Sequence, residues 1–392
     1  SGKPDPRVLE EVRAYAGAGG QPKTPLTESV DDREAIPTQA ISDKPQRFTV
    51  WPQFDATYGG LSPFGFLTYA VRGFFENGGR LCYVQLIAFE EDALEKDRVV
   101  EAVQAGLHTL EVSREYDLLC VPDIMWMHLD GDGVAADKAA VAQSAVAEHC
   151  QRLGDCFALL DATPSGDSEA VIVHRRQLTG DAAALYYPWL HVAEGPTATD
   201  GSVPPCGHVA GVYARSDLRI GVHKAPANEI LQGVRHLGVD LTEEQQGPLN
   251  EQGINCIRAF PRRGIRVWGA RTLSSSSTWR YVNVRRIFIT AARWIERNMT
   301  HVVFEPNTPE LWAHIVRDLT AYFTELVQRG ALAGTGSGSA FYVKCDAETN
   351  PPELREIGQV VTEIGLAPSA PAEFIVVRIM HGQTGVRIIG PT

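Results

Sequence analysis

Two aspartates offer the chain its best prospect of catalytic chemistry. Asp123 and Asp161 each close a short apolar run, "YDLLCVPD" and "CFALLDATP". Open α/β sheets bind ligands at the carboxyl ends of their strands, and "HLDGDG" lies close by, so the pair could hold a metal ion for a hydrolase or a phosphotransferase. The competing assignment is plainer: an Asp after a strand starts a turn or caps the next helix. No Lys, Ser/Thr or His motif accompanies the two carboxylates, which favours capping and leaves a metal-dependent α/β hydrolase as the alternative function. The "DGDG" at residues 130 to 133 fails the calcium-loop pattern, because Val134 falls where a ligand is needed.

Other candidate sites fail on spacing. Gly334 to Ser339 has the composition of a phosphate loop, yet it lacks the Lys-Ser/Thr ending and precedes a strand instead of opening a helix. There is no GxSxG elbow. His174, His191, His208, His223 and His236 show no metal spacing and are expected to be structural or surface histidines. The seven cysteines (82, 120, 150, 156, 206, 256 and 345) are odd in number, scattered and mostly set in apolar runs. That pattern fits reduced core thiols, with no disulfide or zinc framework and no cofactor.

Composition narrows the partners. With 392 residues, 44% hydrophobic and 21% charged, the chain can bury a core without staples. A net charge of -12 argues against a nucleic-acid partner bound by broad phosphate neutralisation, while leaving room for local arginine patches. No apolar run approaches the roughly 18 to 20 residues that span a bilayer. The opening "SGKPDPRVLEEVRAYAG" lacks signal-peptide regions, so no membrane insertion is expected and the cytoplasm is the expected compartment.

Around these residues the elements alternate. "FTVWPQFDATYGG" reads as a strand and a glycine turn, followed by a helix over Pro63 to Glu76 and a strand from Leu81 to Phe89. A helix near Arg98 to Ser113 precedes the first Asp-bearing strand, and a second over about Asp137 to Leu153 separates it from the other. Continuous apolar strands alternating with helices predict a mostly parallel sheet covered on both faces, between about Phe48 and Pro196. The second half predicts α+β: helices over Asn283 to Met299 and from Pro309 to Gly330, the strand "AFYVKCD", a helix near Glu353 to Ile364 and the strand "AEFIVVRIM". On the first of these helices Arg286, Arg293 and Arg297 fall seven and four apart, on one face. With Arg285 beside them and "RRG" at 262 to 264, they form a basic field suited to an acidic protein surface.

Many ordered blocks then resemble one family. "FGFLTYAVRGFFENGGRLCYVQLI", "LYYPWLHV", "PPCGHVAGVYARSD", "HKAPANEILQGV", "LNEQGINCIRAFPRRGIRVWGARTLSSSSTWRYVNVRRIFI", "FEPNTPELWAHI", "VKCDAETNPPE" and "PAEFIVVRI" resemble the sheath proteins of contractile phage tails and contractile injection systems, over roughly residues 48 to 380. The resemblance implies a structural subunit without catalysis, stacked in a homo-oligomeric lattice around an inner tube protein, with baseplate and cap proteins at its ends. It implies an N-terminal arm over 1–47, an outer α/β domain over 48–200 and an inner α+β C-terminal domain over 201–392. It also implies that terminal arms add strands to neighbouring sheets; Phe374, Ile375, Val376, Val377, Arg378 and Ile379 are the strand-competent residues of the C-terminal arm. Arg285, Arg286, Arg293 and Arg297 become candidate contacts to the tube or to neighbouring subunits. The "PGVY"-like opening of the family's N-terminal arm has no counterpart in residues 1 to 47.

Overall fold

A computed structural model describes residues 44–61, 65–87, 98–111, 114–130, 133–302, 304–334, 338–369, 375–382 and 385–389. The chain divides into two compact units. One runs up to Leu218 and resumes over Pro226–Ser275, and the other comprises Arg219–Ala225 and the residues from Ser276 onward. Within 201–392, residues up to Leu218 and over Pro226–Ser275 fall in the first unit.

The first unit opens with β1 (Gln46–Phe48) and α1 (Trp51–Tyr58). The strand expected through "FTVWPQFDATYGG" thus gives way to a helix after Val50. Pro52 sits in the first turn, where its missing N–H costs nothing. Trp51, Phe54 and Tyr58 recur at helical spacing, and Phe54 and Tyr58 bury against Phe48 with ring centroids 5.4 and 5.8 Å away. Gly59, at φ 79°, ends the helix in the left-handed region that a side chain would resist. The elements α2 (Leu67–Glu76) and β2 (Cys82–Val84) follow, and β2 pairs antiparallel with β1.

Next come α3 (Val99–Glu111), β3 (Leu118–Leu119), a 3-10 segment (Pro122–Asp130), α4 (Gly133–Leu153), β4 (Phe157–Asp161), α5 (Ser168–Arg176), β5 (Ala183–Tyr187), β6 (Leu190–Val192) and β7 (Ser202–Val203). The unit closes with α6 (Cys206–Arg219), β8 (Glu229–Ile230), β9 (Val234–Leu237), α7 (Glu243–Glu251), β10 (Ile254–Phe260) and β11 (Gly264–Val267). Its main sheet has the order β3-β4-β5-β10-β11-β8. The first four strands are parallel, β11 runs antiparallel to β10, and β8 runs antiparallel to β11. Every residue of β4 and β5 is buried, as expected of parallel strands covered on both faces. Val103 and Leu107 of α3, Val146 and Cys150 of α4, and Leu160, Leu185 and Ile254 of the sheet share one apolar core. A second, antiparallel sheet has the order β7-β6-β9.

The other unit contains α8 (Val282–Asn298), α9 (Pro309–Gln328), β12 (Phe341–Lys344), α10 (Pro352–Glu356), β13 (Val360–Leu366), β14 (Ile375–Gly382) and β15 (Gly385–Ile389). The four strands form an antiparallel meander, β12-β13-β14-β15. The helix expected over Glu353 to Ile364 stops after one turn. Gly358, at φ 72°, ends it, and the β-branched run Val360-Val361-Thr362 with Ile364 enters the sheet instead. Ile287, Phe288 and Ile295 of α8 pack with Ile315, Leu319 and Phe323 of α9 over Phe341 and Ile364. Trp294 and Tyr322 join the two helices by ring stacking at 4.0 Å.

Candidate assembly site

The two aspartates hold helices. Asp123, 4% exposed, accepts the backbone N–H of Phe66 and, at 3.1 Å, that of Leu67, at the start of α2. Asp161, 2% exposed, accepts the N–H of Cys206 at 2.7 Å, at the start of α6. Each satisfies donors that a helix N-terminus leaves orphaned and sits at the positive end of the helix dipole. Burial pushes the Asp161 pKa up to about 7, against hydrogen bonds from Cys206 that lower it. Burial likewise drives Asp123 well above the usual carboxylate range, opposed by the Phe66 and Leu67 N–H groups. The carboxylates serve two different helices, and among the described residues no group of three His, Cys, Asp or Glu could hold a metal ion. The hydrolase assignment fails on this geometry. Capping was the right chemistry with the wrong helix: Asp123 reaches 57 residues back and Asp161 reaches 45 residues on.

His174 is a structural histidine. Its Nδ1 accepts the Thr163 N–H at 3.1 Å, which leaves Nε2 to donate to Gln143 Oε1 at 2.9 Å. Gln143 in turn donates to the Asp161 carbonyl at 2.8 Å.

Several organising residues gave no chemical signal in the sequence. Helices α2 and α6 cross at glycines: a Cβ on Gly207 would lie 2.3 Å from the Ala70 backbone, and one on Gly211 would lie 2.4 Å from the Phe74 carbonyl. Three fully buried asparagines pair like short strands. Asn77 accepts the Gln232 N–H and donates to the Gln232 carbonyl. Asn255 does the same for Arg271 and Asn350 for Val361. Each pins a turn to a neighbouring segment, and the sequence cue available was only an Asn inside an otherwise apolar or turn-rich stretch.

The arginine helix differs from an open docking rail. Arg285, Arg286 and Arg293 are 7%, 4% and 8% exposed, whereas Arg297 is exposed. All four engage partners, and the Arg285 guanidinium lies 5.1 Å over the Trp279 ring. Twelve residues of α8 are buried, so cover extends beyond its apolar stripe and the Arg stems lie within it. In the isolated chain only Arg297 of the four presents itself to a partner.

The C-terminal strand forms on the chain's own sheet. Ile375, Val376, Val377, Arg378 and Ile379 of β14 pair with Leu366, Gly365, Ile364, Glu363 and Thr362 of β13. Phe374 lies outside the described residues. Strand β15 pairs back on β14 from Arg378↔Ile389 to Gly382↔Gly385. The sheet thus has β12 and β15 as its edges, and an edge is a template for another chain.

Residues 99–273 match the central domain of the phage tail sheath protein, and residues 274–380 match the phage tail sheath C-terminal domain. The chain is 28% identical over 211 residues to the tail sheath protein of Salmonella phage ViI, covering 52% of this chain and 32% of that one. Matches to curated relatives span between 32% and 60% of the relatives' own length. Among solved structures, the PVC sheath complex of an extracellular contractile injection system, in its contracted state, is similar with a TM-score of 0.70 and 32% identity, over 86% of this chain and 87% of that one. The anti-feeding prophage baseplate is similar with the same score and coverage at 30% identity.

Proposed function

The chain belongs to the phage tail sheath family, and from that premise we propose that it is a structural sheath subunit whose copies polymerise around an inner tube protein and contract to drive the tube through a target envelope. The observation that carries this reading is the likeness to a contractile sheath complex over 86% of the chain. The aspartates that could have supported catalysis are engaged as helix caps instead. Motion of this kind calls for two packings of similar energy rather than a fuel site. Assembly takes place in the cytoplasm of the producing cell, with baseplate and cap proteins at the ends of the lattice.

Strand exchange links the copies. The β14–β15 hairpin pairs with its own β13 in a single chain, and the same ladder can form with an identical neighbour at no loss of hydrogen bonds, which is the logic of a domain swap. Arg297 and the basic field around it supply contacts to the tube. The likeness to a baseplate structure favours a second placement, a subunit present in few copies beside the baseplate.

Deletion of the residues after Ile379 tests the exchange. The shortened chain, co-produced with its tube protein, is expected in the soluble fraction after centrifugation that pellets intact tubes. Pelleting at wild-type yield would contradict it.

A further inference from the structure

The β10–β11 hairpin ends in a cluster of cations that no acid among the described residues answers. Its turn, Pro261-Arg262-Arg263, is exposed and closed by the Arg263 N–H donating to the Phe260 carbonyl at 3.0 Å. Arg258 and Arg266 face each other directly across the ladder, an arrangement of like charges that costs stability unless something neutralises it. Among the described residues no carboxylate pairs with Arg258, Arg262, Arg263 or Arg266. The cluster is also fixed in place. Arg266 donates to the Arg263 and Asn228 carbonyls at 2.9 and 2.6 Å. The Arg258 and Arg263 guanidiniums lie 5.3 and 5.6 Å from the Phe260 ring centre, and Arg258 Nε is buried without a hydrogen-bond partner. Rigid guanidinium forks held on an aromatic ring suit carboxylates.

The matching acids lie on and before the helix that precedes the same strand. Helix α7 leads into β10, and its flank carries Asp240, Glu243, Glu244 and Glu251, all exposed. None of these four forms an ion pair among the described residues. The two patches do not pair within one copy among the described residues. A basic patch and an acidic patch that do not pair within one copy complement the same two patches of a neighbour in head-to-tail contact, a heterologous interface that repeats along an open lattice. Between copies that each carry a net charge of -12, such a contact also overcomes mutual repulsion.

We propose that the β10–β11 hairpin of one copy docks through Arg258, Arg262 and Arg263 on the acidic face of α7 of a second copy of this chain. The proposal concerns self-association and extends the sheath reading by naming one lattice contact.

Sedimentation velocity on the full chain at low salt tests it. Two charge-reversed variants are compared, Arg262→Glu/Arg263→Glu and Glu244→Arg/Glu251→Arg; all four positions are exposed, and circular dichroism confirms that each variant folds. Each variant alone is expected to need at least about tenfold more protein to associate than wild type does. An equal mixture of the two is expected to associate like wild type, because each tip now meets an oppositely charged helix. Wild-type association retained by either variant, or a mixture that fails to associate, overturns the contact while leaving the sheath reading standing. A wild-type chain that never self-associates overturns the contact and leaves the sheath reading to the assembly assay with the tube protein. If the reversed hairpin loses only binding to a DNA oligonucleotide, with self-association intact, the surface is reassigned and the proposal fails.

Discussion

The Asp161 carboxylate accepts the Cys206 backbone N–H at 2.7 Å, tying the end of β4 to the first turn of α6. The bond joins the parallel sheet to the helix that crosses α2 at Gly207 and Gly211. It also leaves a pH signature. Burial raises the pKa of Asp161 from 3.8 to about 7 in the fold, so the folded state binds its proton more tightly than the unfolded chain does. The resulting stability is fully present below the unfolded pKa and is lost as pH rises through about 7. Asp161→Asn keeps an acceptor for Cys206 and removes the titration. Denaturant unfolding of both proteins should show the variant gaining on wild type as pH rises from about 4 to about 8, by at most about 4 kcal/mol. Parallel pH profiles would contradict this.

Gly207 is the position where α2 and α6 tolerate least change. A methyl group there would meet Ala70 backbone at 2.3 Å, and backbone cannot swing aside as a side chain can. Gly207→Ala should destabilise the protein by about 3 kcal/mol. Gly166→Ala, at an exposed position where nothing lies within 4 Å of the added Cβ, should stay within about 0.5 kcal/mol of wild type. Thermal unfolding of the pair measures the difference, and equal effects would refute the close crossing.

Asn350 accepts the Val361 N–H at 2.6 Å and donates to the Val361 and Asp346 carbonyls at 3.0 and 3.1 Å. Asn350→Ala takes the amide partner from the Val361 N–H and carbonyl, while the Asp346 carbonyl keeps the Asn350 N–H and the Thr349 hydroxyl, at a cost of about 3 kcal/mol. Hydrogen exchange should show the loss first at β13, where Val361 sits. Unchanged protection there would mean that the loop does not brace the strand.

Burial separates the arginines of α8 into two kinds. Arg286→Glu places an acid where a cation is 4% exposed and should lower stability by more than about 3 kcal/mol. Arg297→Glu should stay within about 0.5 kcal/mol of wild type while weakening attachment to the tube protein at physiological salt. Calorimetry and a tube co-pelleting assay distinguish the two effects. If Arg297→Glu pellets with the tube as wild type does, the tube contact lies elsewhere.

Long, regular elements were readable from pattern alone. Helices α8 and α9 keep their apolar stripes, and "CFALLD" is the fully buried β4 that its composition predicts. Short local signals misled where tertiary context decided. "FTVWPQF" carries strand residues, yet Pro52 and the Phe48 contact favour a helix. The segment after Gly358 carries helix-compatible spacing, yet its β-branched residues complete a sheet. Arg286 and Arg293 look solvent-facing by charge, and only the cover over α8 reveals their burial. Asp123 and Asp161 were found by position after strands, while the helices they cap lie too far along the chain for spacing to identify.

The central claim is that this chain builds a sheath, and negative-stain electron microscopy of the purified full chain, with and without its tube protein, tests it most directly. Long striated cylinders of stacked rings are the expected result when the tube protein is present. Uniform small particles in both samples would contradict the account.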